Sequence, residues 1–164
     1  MYQIHNLKKV HADPHPGNFL VTEDLKLVAI DFGCLKKIVN SFYQPYFELT
    51  KKEIINNKDA FTKKLFELEV LKSDDSEEEK EYFYEMFHDI LSLITKPLQE
   101  DYFDFSDSSF FKKISSKSKD YALKTKRLNL NGNRGSKHFI YVNRTFFGLY
   151  NLLHSLKAPH IKTK

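Results

Sequence analysis

Between Val10 and Gly33 the sequence reads VHADPHPGNFLVTEDLKLVAIDFG, which places three oxygen-bearing side chains, Asp13, Asn18 and Asp31, within twenty residues. Two carboxylates and an amide are hard ligands. Mg²⁺ is held in this way, by one or two carboxylates shared with the phosphates of a substrate. Pro14 and Pro16 push the residues before them, Asp13 and His15, out of helical conformation and stiffen the path. Gly17 permits a tight bend or a close approach by a neighbouring group. A loop so constrained holds Asp13 and Asn18 at fixed positions, five residues apart. The chain returns to Asp31 through a predicted hairpin: NFLV, a polar turn TEDL, then KLVAID, whose segment Leu27 to Ile30 is almost all apolar and predicts burial on both faces. His11 is expected to hold the backbone of the loop. A transition-metal cluster of His11, Asp13 and His15 is the alternative, weakened by the absence of a fourth ligand at a familiar spacing.

The elements needed to position this loop follow in the sequence. Ser41 with Gln44 predicts a capped helix start, and Phe61, Leu65 and Leu68 recur on one face of a second helical stretch. Ser76 with Glu79 forms an S-x-x-E box ahead of Phe83, Met86, Phe87, Ile90, Leu91 and Ile94, a strongly amphipathic helix that Pro97 should end. Residues 99–137 read as an irregular basic region, with SDSS, SSKSK and NLNGNRGSK as loops. Gly132 to Lys137 does not have the spacing of a phosphate-binding loop. A last helix over 138–158 carries Phe139, Val142, Phe146, Leu149, Leu153 and Leu156 as its buried stripe, with Gly148 allowing another element close. Arg144 is expected to be an ion-pair partner on the helix flank.

Composition narrows the class. The chain of 164 residues is 41% hydrophobic, 15% aromatic and 29% charged, a globular balance sufficient for one domain. Cys34 stands alone, so no internal disulfide forms and a reducing, cytoplasmic setting is expected. The N-terminus MYQIHNLKKV lacks the apolar stretch of a secretion signal, and FIYVNRTFFGLYNLL is interrupted by Asn143 and Arg144 and is too short to span a bilayer. Net charge is +4, divided between an acidic run Asp74–Glu81 and a basic run Lys112–Arg127 with seven bases against one acid. Both runs are expected to be solvated faces. The basic one could also meet an anionic membrane surface. It lacks the interleaved aromatics of a nucleic-acid interface, and no nucleic-acid partner is expected.

H-A-D-P-H-P-G-N followed by a hairpin and A-I-D-F-G resembles the protein-kinase catalytic loop H-R-D-x-x-x-x-N and its D-F-G. More narrowly it resembles the UbiB/AarF atypical kinases, also called ABC1 or ADCK-type. The resemblance is dense over residues 10–37 and extends to FIYVNRTFFGLYNLLHSLKA near the C-terminus. It implies a mostly α fold with a short β-hairpin (α+β), the C-lobe of a kinase-like fold. ATP and Mg²⁺ would be the cofactors, with Asp31 and Asn18 as metal ligands and Asp13 at the catalytic-base position. His11, Gly17, Phe32 and Gly33 would support the loop. It further implies a role in ubiquinone or isoprenoid-quinone biosynthesis. The nucleotide loop, its lysine and the helix glutamate cannot lie in MYQIHNLKKV, nor is a K-x-G-Q signature present. The expectation is therefore a single partial domain, residues 1–164, whose N-lobe is absent and either supplied by another chain or lost. Two other readings stay open: a non-catalytic, pseudokinase-like partner- or lipid-binding module, and a small-molecule phosphotransferase.

Overall fold

The computed structural model describes residues 2–163. A short helix α1 (Tyr2–His5) leads into β1 (Lys9–His11), a single 3₁₀ turn at Pro16–Asn18, and a hairpin of β2 (Phe19–Val21) and β3 (Leu27–Ala29). β4 (Leu35–Lys37) then returns antiparallel to β1, pairing Val10 with Lys36 and His11 with Leu35. The hairpin pairs Phe19 with Ala29 and Val21 with Leu27, as the sequence predicts. The β1–β4 ladder was not foreseen, because three-residue strands with two lysines in β4 carry no alternation to read.

Helices make up most of the remainder: α2 (Asn40–Leu49), α3 (Lys52–Ile55), α4 (Lys58–Glu67), α5 (Glu77–Ile94) and α6 (Lys96–Gln99). After β5 (Tyr102–Phe103) come α7 (Ser108–Arg127), α8 (His138–Ser155) and β6 (Ile161–Lys162), which pairs back onto β5. The architecture is α+β, mostly helical with three small antiparallel pairs. α5 begins at the capping box read from the sequence, with the Ser76 hydroxyl accepting from Glu79 N–H and the Glu79 carboxylate accepting from Ser76 N–H. Phe61, Leu65 and Leu68 are buried together as their spacing predicts.

Four sequence expectations are corrected. Ser41 caps nothing: α2 starts at Asn40 with extended Val39 before it and no side-chain cap, since β4 runs almost directly into the helix. Residues 99–137 are not irregular, because α7 occupies twenty of them. The Asp107 carboxylate accepts from Ser109 N–H at its start, and Lys124, Lys126 and Arg127 complement the dipole in its last turn. In α8 the buried stripe is Phe139, Val142, Phe146 and Tyr150, while Leu149 and Leu156 are exposed. Tyr150 takes the inward position because its hydroxyl can donate to the Ile94 carbonyl (3.2 Å). Finally, Leu27, Val28 and Ile30 are exposed, Leu27 at 66%, because no layer covers either face of the two-stranded hairpin.

The core is rich in aromatics. Phe139 of α8 meets Phe42 edge-to-face at 5.0 Å, Tyr46 at 5.5 Å and Phe87 at 5.5 Å, fastening α2 and α5 to α8. The buried Tyr46 hydroxyl donates to Asn143 Oδ1 (2.9 Å). Burial pushes that phenol far above its ordinary value.

The loop 128–137 is anchored by a residue the sequence did not single out. Arg134 Nη1 donates to both carboxylate oxygens of Asp75 (2.6 and 2.8 Å), and its guanidinium lies over the Phe83 ring at 4.2 Å. Both side chains are about 95% buried, at 4% and 5% exposure. Asp75 thus departs from the expectation that the acidic run is a solvated face. Burial alone would raise its carboxyl; the Arg134 hydrogen bond, with the Lys72 N–H, outweighs this and holds it below the ordinary range.

Candidate functional site

The catalytic-loop residues are fixed from two sides. From the helical side, Thr145 of α8 shares its one hydroxyl proton between the Tyr141 carbonyl of its own helix (2.8 Å) and the His11 carbonyl (3.2 Å), and Gly148, one turn on, lets Pro14 lie against the helix. A β-carbon at Gly148 would come within 2.3 Å of Pro14 Cγ. From the sheet side, Ala12 N–H donates to the Cys34 carbonyl (3.0 Å), tying the loop to the segment after D-F-G. Cys34 is half-buried and not fully buried as its size suggested.

His11 joins the two motifs. Asp13 N–H donates to its Nδ1 (3.3 Å), and its Nε2 lies 2.6 Å from the Asp31 carbonyl. The carbonyl can only accept and the amide can only donate, so the imidazole is the neutral Nε2–H tautomer. Both ring nitrogens are thereby used on backbone, which leaves neither free as a metal ligand. His15 uses one ring nitrogen on the backbone, its Nδ1 accepting from Gly17 N–H (3.1 Å) as the cap of the 3₁₀ turn. A β-carbon at Gly17 would crowd that ring at 3.1 Å. Among the described residues no group of three or more His, Cys, Asp and Glu is placed to hold a metal ion.

Asn18 Nδ2 donates to both the Asp13 carbonyl (3.0 Å) and Asp13 Oδ2 (3.2 Å). The amide therefore orients the carboxylate, and Asn18 Oδ1 is left as an acceptor without a donor among the described residues. Ile30 N–H donates to the Asn18 carbonyl (3.0 Å), which sets Asn18 beside the end of the strand that leads to Asp31. Asp31 Oδ1 accepts from Gly33 N–H (2.7 Å), leaving its Oδ2 open. The structure thus brings Asp13 and Asn18 into contact and links Asp31 to them through His11 and the Ile30 backbone. Phe32 supports the loop only through its carbonyl, which accepts from Leu35 N–H (3.2 Å). Its ring is 56% exposed because nothing packs above the hairpin.

The donor set fits a hard cation. Asn18 Oδ1 and Asp31 Oδ2 are oxygen acceptors unclaimed by the chain, and Mg²⁺ takes few protein ligands when phosphates and water supply the rest. Sequence reasoning missed the true partner of Arg144. Its Nη2 stands 4.0 Å from Asp13 Oδ1, both side chains being substantially exposed, so the attraction is weak and easily displaced. A cavity of about 380 Å³ opens beside this pair, between Asp13 and His15 on the loop and Asn151 and Ser155 on α8.

The arrangement joins an H-x-D-x-x-x-x-N loop to a D-F-G turn on an α+β chain. Residues 1–65 match the family model of the ABC1 atypical kinase-like domain, a segment that holds Asp13, Asn18 and Asp31, leaves out α8, and ends within α4. This supports an ABC1 relationship for that part of the chain. No curated protein matches it. No helix among the described residues is long and apolar enough to cross a membrane.

Proposed function

We propose that this chain carries the metal-binding and acceptor-handling half of an ABC1-type, Mg²⁺- and ATP-dependent phosphotransferase or ATPase, a kinase-like C-lobe completed by a nucleotide-clamping lobe outside these residues. The carrying observation is the His11 bridge, which holds Asp13 and Asp31 in one constellation while Asn18 Oδ1 and Asp31 Oδ2 stay open. Asn18 and Asp31 would hold Mg²⁺. What it would supply there is neutralisation of the charge that develops on the phosphates of ATP. Asp13, oriented by the Asn18 amide, would align an acceptor hydroxyl or a water and take its proton, the acceptor entering by the cavity beside Arg144. Catalysis of phosphoryl transfer is mostly positioning and electrostatics, so without the clamp and its lysine the chain alone should turn over little.

The exposed apolar residues of the hairpin, Leu20, Val28 and Ile30 on one face and Leu27 on the other, support the need for a covering lobe. The same reading includes a role in isoprenoid-quinone biosynthesis. It also includes peripheral contact with an anionic membrane through α7, all seven of whose bases are exposed. Vesicle sedimentation at low and high salt checks that contact.

The test is Mg²⁺-dependent nucleotide binding by the chain combined with a nucleotide lobe of the family. Asp31→Asn should abolish it, and Asp13→Asn should leave binding intact while removing turnover. Unchanged affinity in Asp31→Asn overturns the assignment. Absence of nucleotide binding in the wild-type combination would favour the non-catalytic binding module instead.

A further inference from the structure

α7 packs along α5 through Tyr121 and Thr125, which meet Tyr82, and touches α8 at its N-terminal turn, where Phe111 lies against His154 at 4.3 Å; beyond that turn the two helices part. Two cavities of about 580 and 540 Å³ fill the gap. They share Ser118, Ala122, Ile140 and Asn143, so they form one groove. From Ile114 to Lys126 its α7 wall is thirteen residues long, about 18 Å at helical rise. Its floor and walls are Met86, Phe87, Ile90, Phe139, Ile140 and Phe147. Ile140, at the junction of the two halves, is 61% exposed although it sits in a concavity.

The polar groups on this groove are of one kind. No carboxylate lines it, whereas Lys119, Lys126 and Arg144 do. Asp89 of α5 is already paired with Lys117 Nζ (2.6 Å) and the Tyr121 hydroxyl (2.7 Å). Asn143 spends its Oδ1 on Tyr46, and its NH₂ donates to nothing among the described residues. An apolar trough of this size with a few convergent donors is the form of a small-molecule site. The cations and the free amide select an anion. Lys119, Arg144 and Asn143 gather at one half of the groove, which fixes where the charge sits.

We propose that the groove between α7 and α8 binds a free, single-chain anionic amphiphile, its hydrocarbon chain along Ile140 and Phe87 and its headgroup at Lys119, Asn143 and Arg144. The headgroup would draw Arg144 away from Asp13, to which only a 4.0 Å pairing holds it. This site stands independently of phosphoryl transfer.

The probe is cis-parinaric acid, added to the full chain below its micellar concentration and followed by fluorescence. Saturable one-to-one binding is expected, displaced by oleate and at least tenfold less well by oleyl alcohol. Ala122→Trp fills the junction and should weaken binding at least tenfold with an unchanged circular dichroism spectrum. If that variant fails to fold, Ile140→Asp serves the same purpose at an exposed position. Lys119→Gln combined with Arg144→Gln should lower affinity for the acid and leave that for the alcohol unaltered. Non-saturable uptake, equal affinity for acid and alcohol, insensitivity to the groove variants, or binding to anionic vesicles without binding to the monomeric probe would each overturn the proposal.

Discussion

At the scale of single residues, the site depends on side chains that perform no chemistry. His11 connects a loop to a turn twenty residues away using both ring nitrogens, and each bond goes to backbone. Replacing it with Ala would leave the Asp31 carbonyl without its donor and free Asp13 from Asp31. Gly148 is equally constrained. Gly148→Ala would place a methyl group 2.3 Å from Pro14 Cγ, and neither the proline ring nor the helix backbone yields cheaply. The expected cost is about 1–3 kcal/mol of stability, as for other overpacked contacts. Because the same contact seats Asp13, turnover of the lobe-completed protein should fall by more than the unfolded fraction explains. Thermal melts and steady-state rates on one preparation check this; full activity at unchanged Tm would show that the loop does not depend on α8.

Elements differ in how far the sequence discloses them. The loop and hairpin were legible because prolines and glycines dictate backbone angles locally, whatever the rest of the chain does. α5 was legible because its cap and its apolar period agree. α7 was not, since only Phe110 and Ile114 are buried along its twenty residues, and a surface helix held at two points leaves no stripe to recognise. The Arg134–Asp75 pair was hidden for a related reason: fifty-nine residues separate the partners, and each sits in a polar stretch that reads as solvated. Arg134→Ala should destabilise the fold by about 3–5 kcal/mol, since it strands a buried carboxylate. Replacing both residues with apolar ones of similar volume should recover much of that loss. The pH dependence has a definite sign. Asp75 in the folded state titrates below its unfolded value, so its contribution is complete above the unfolded carboxylate pKa, about 3.9, and disappears as pH falls through the lower folded value. Denaturant titrations between pH 7 and 3 should show wild type losing this stability at the acid end and Arg134→Ala lacking it.

For the whole molecule, the helical half is well buried and the hairpin half is not. Leu20, Leu27, Val28, Ile30 and Phe32 expose apolar surface on one corner while twenty-four residues form a continuous core elsewhere. This contrast explains why burial of the Leu27–Ile30 strand was misread: an all-apolar strand predicts two covering layers, and these residues supply neither. Lysine at Leu27 and Ile30 together should leave the melting temperature almost unchanged, since both side chains are already in water. Association with a nucleotide lobe should fall at least tenfold. Analytical ultracentrifugation of the mixed components measures this; undiminished association would place the lobe contact elsewhere.

The Thr145–His11 hydrogen bond spans 134 positions of sequence. Domains emerge from the ribosome N-terminal end first, at roughly 5–20 residues per second. The loop is made before the helix that seats it. A nascent chain stopped before His138 would present Asp13 and Asp31 without the platform beneath them. The order of the elements makes the loop wait for a residue translated 134 positions later.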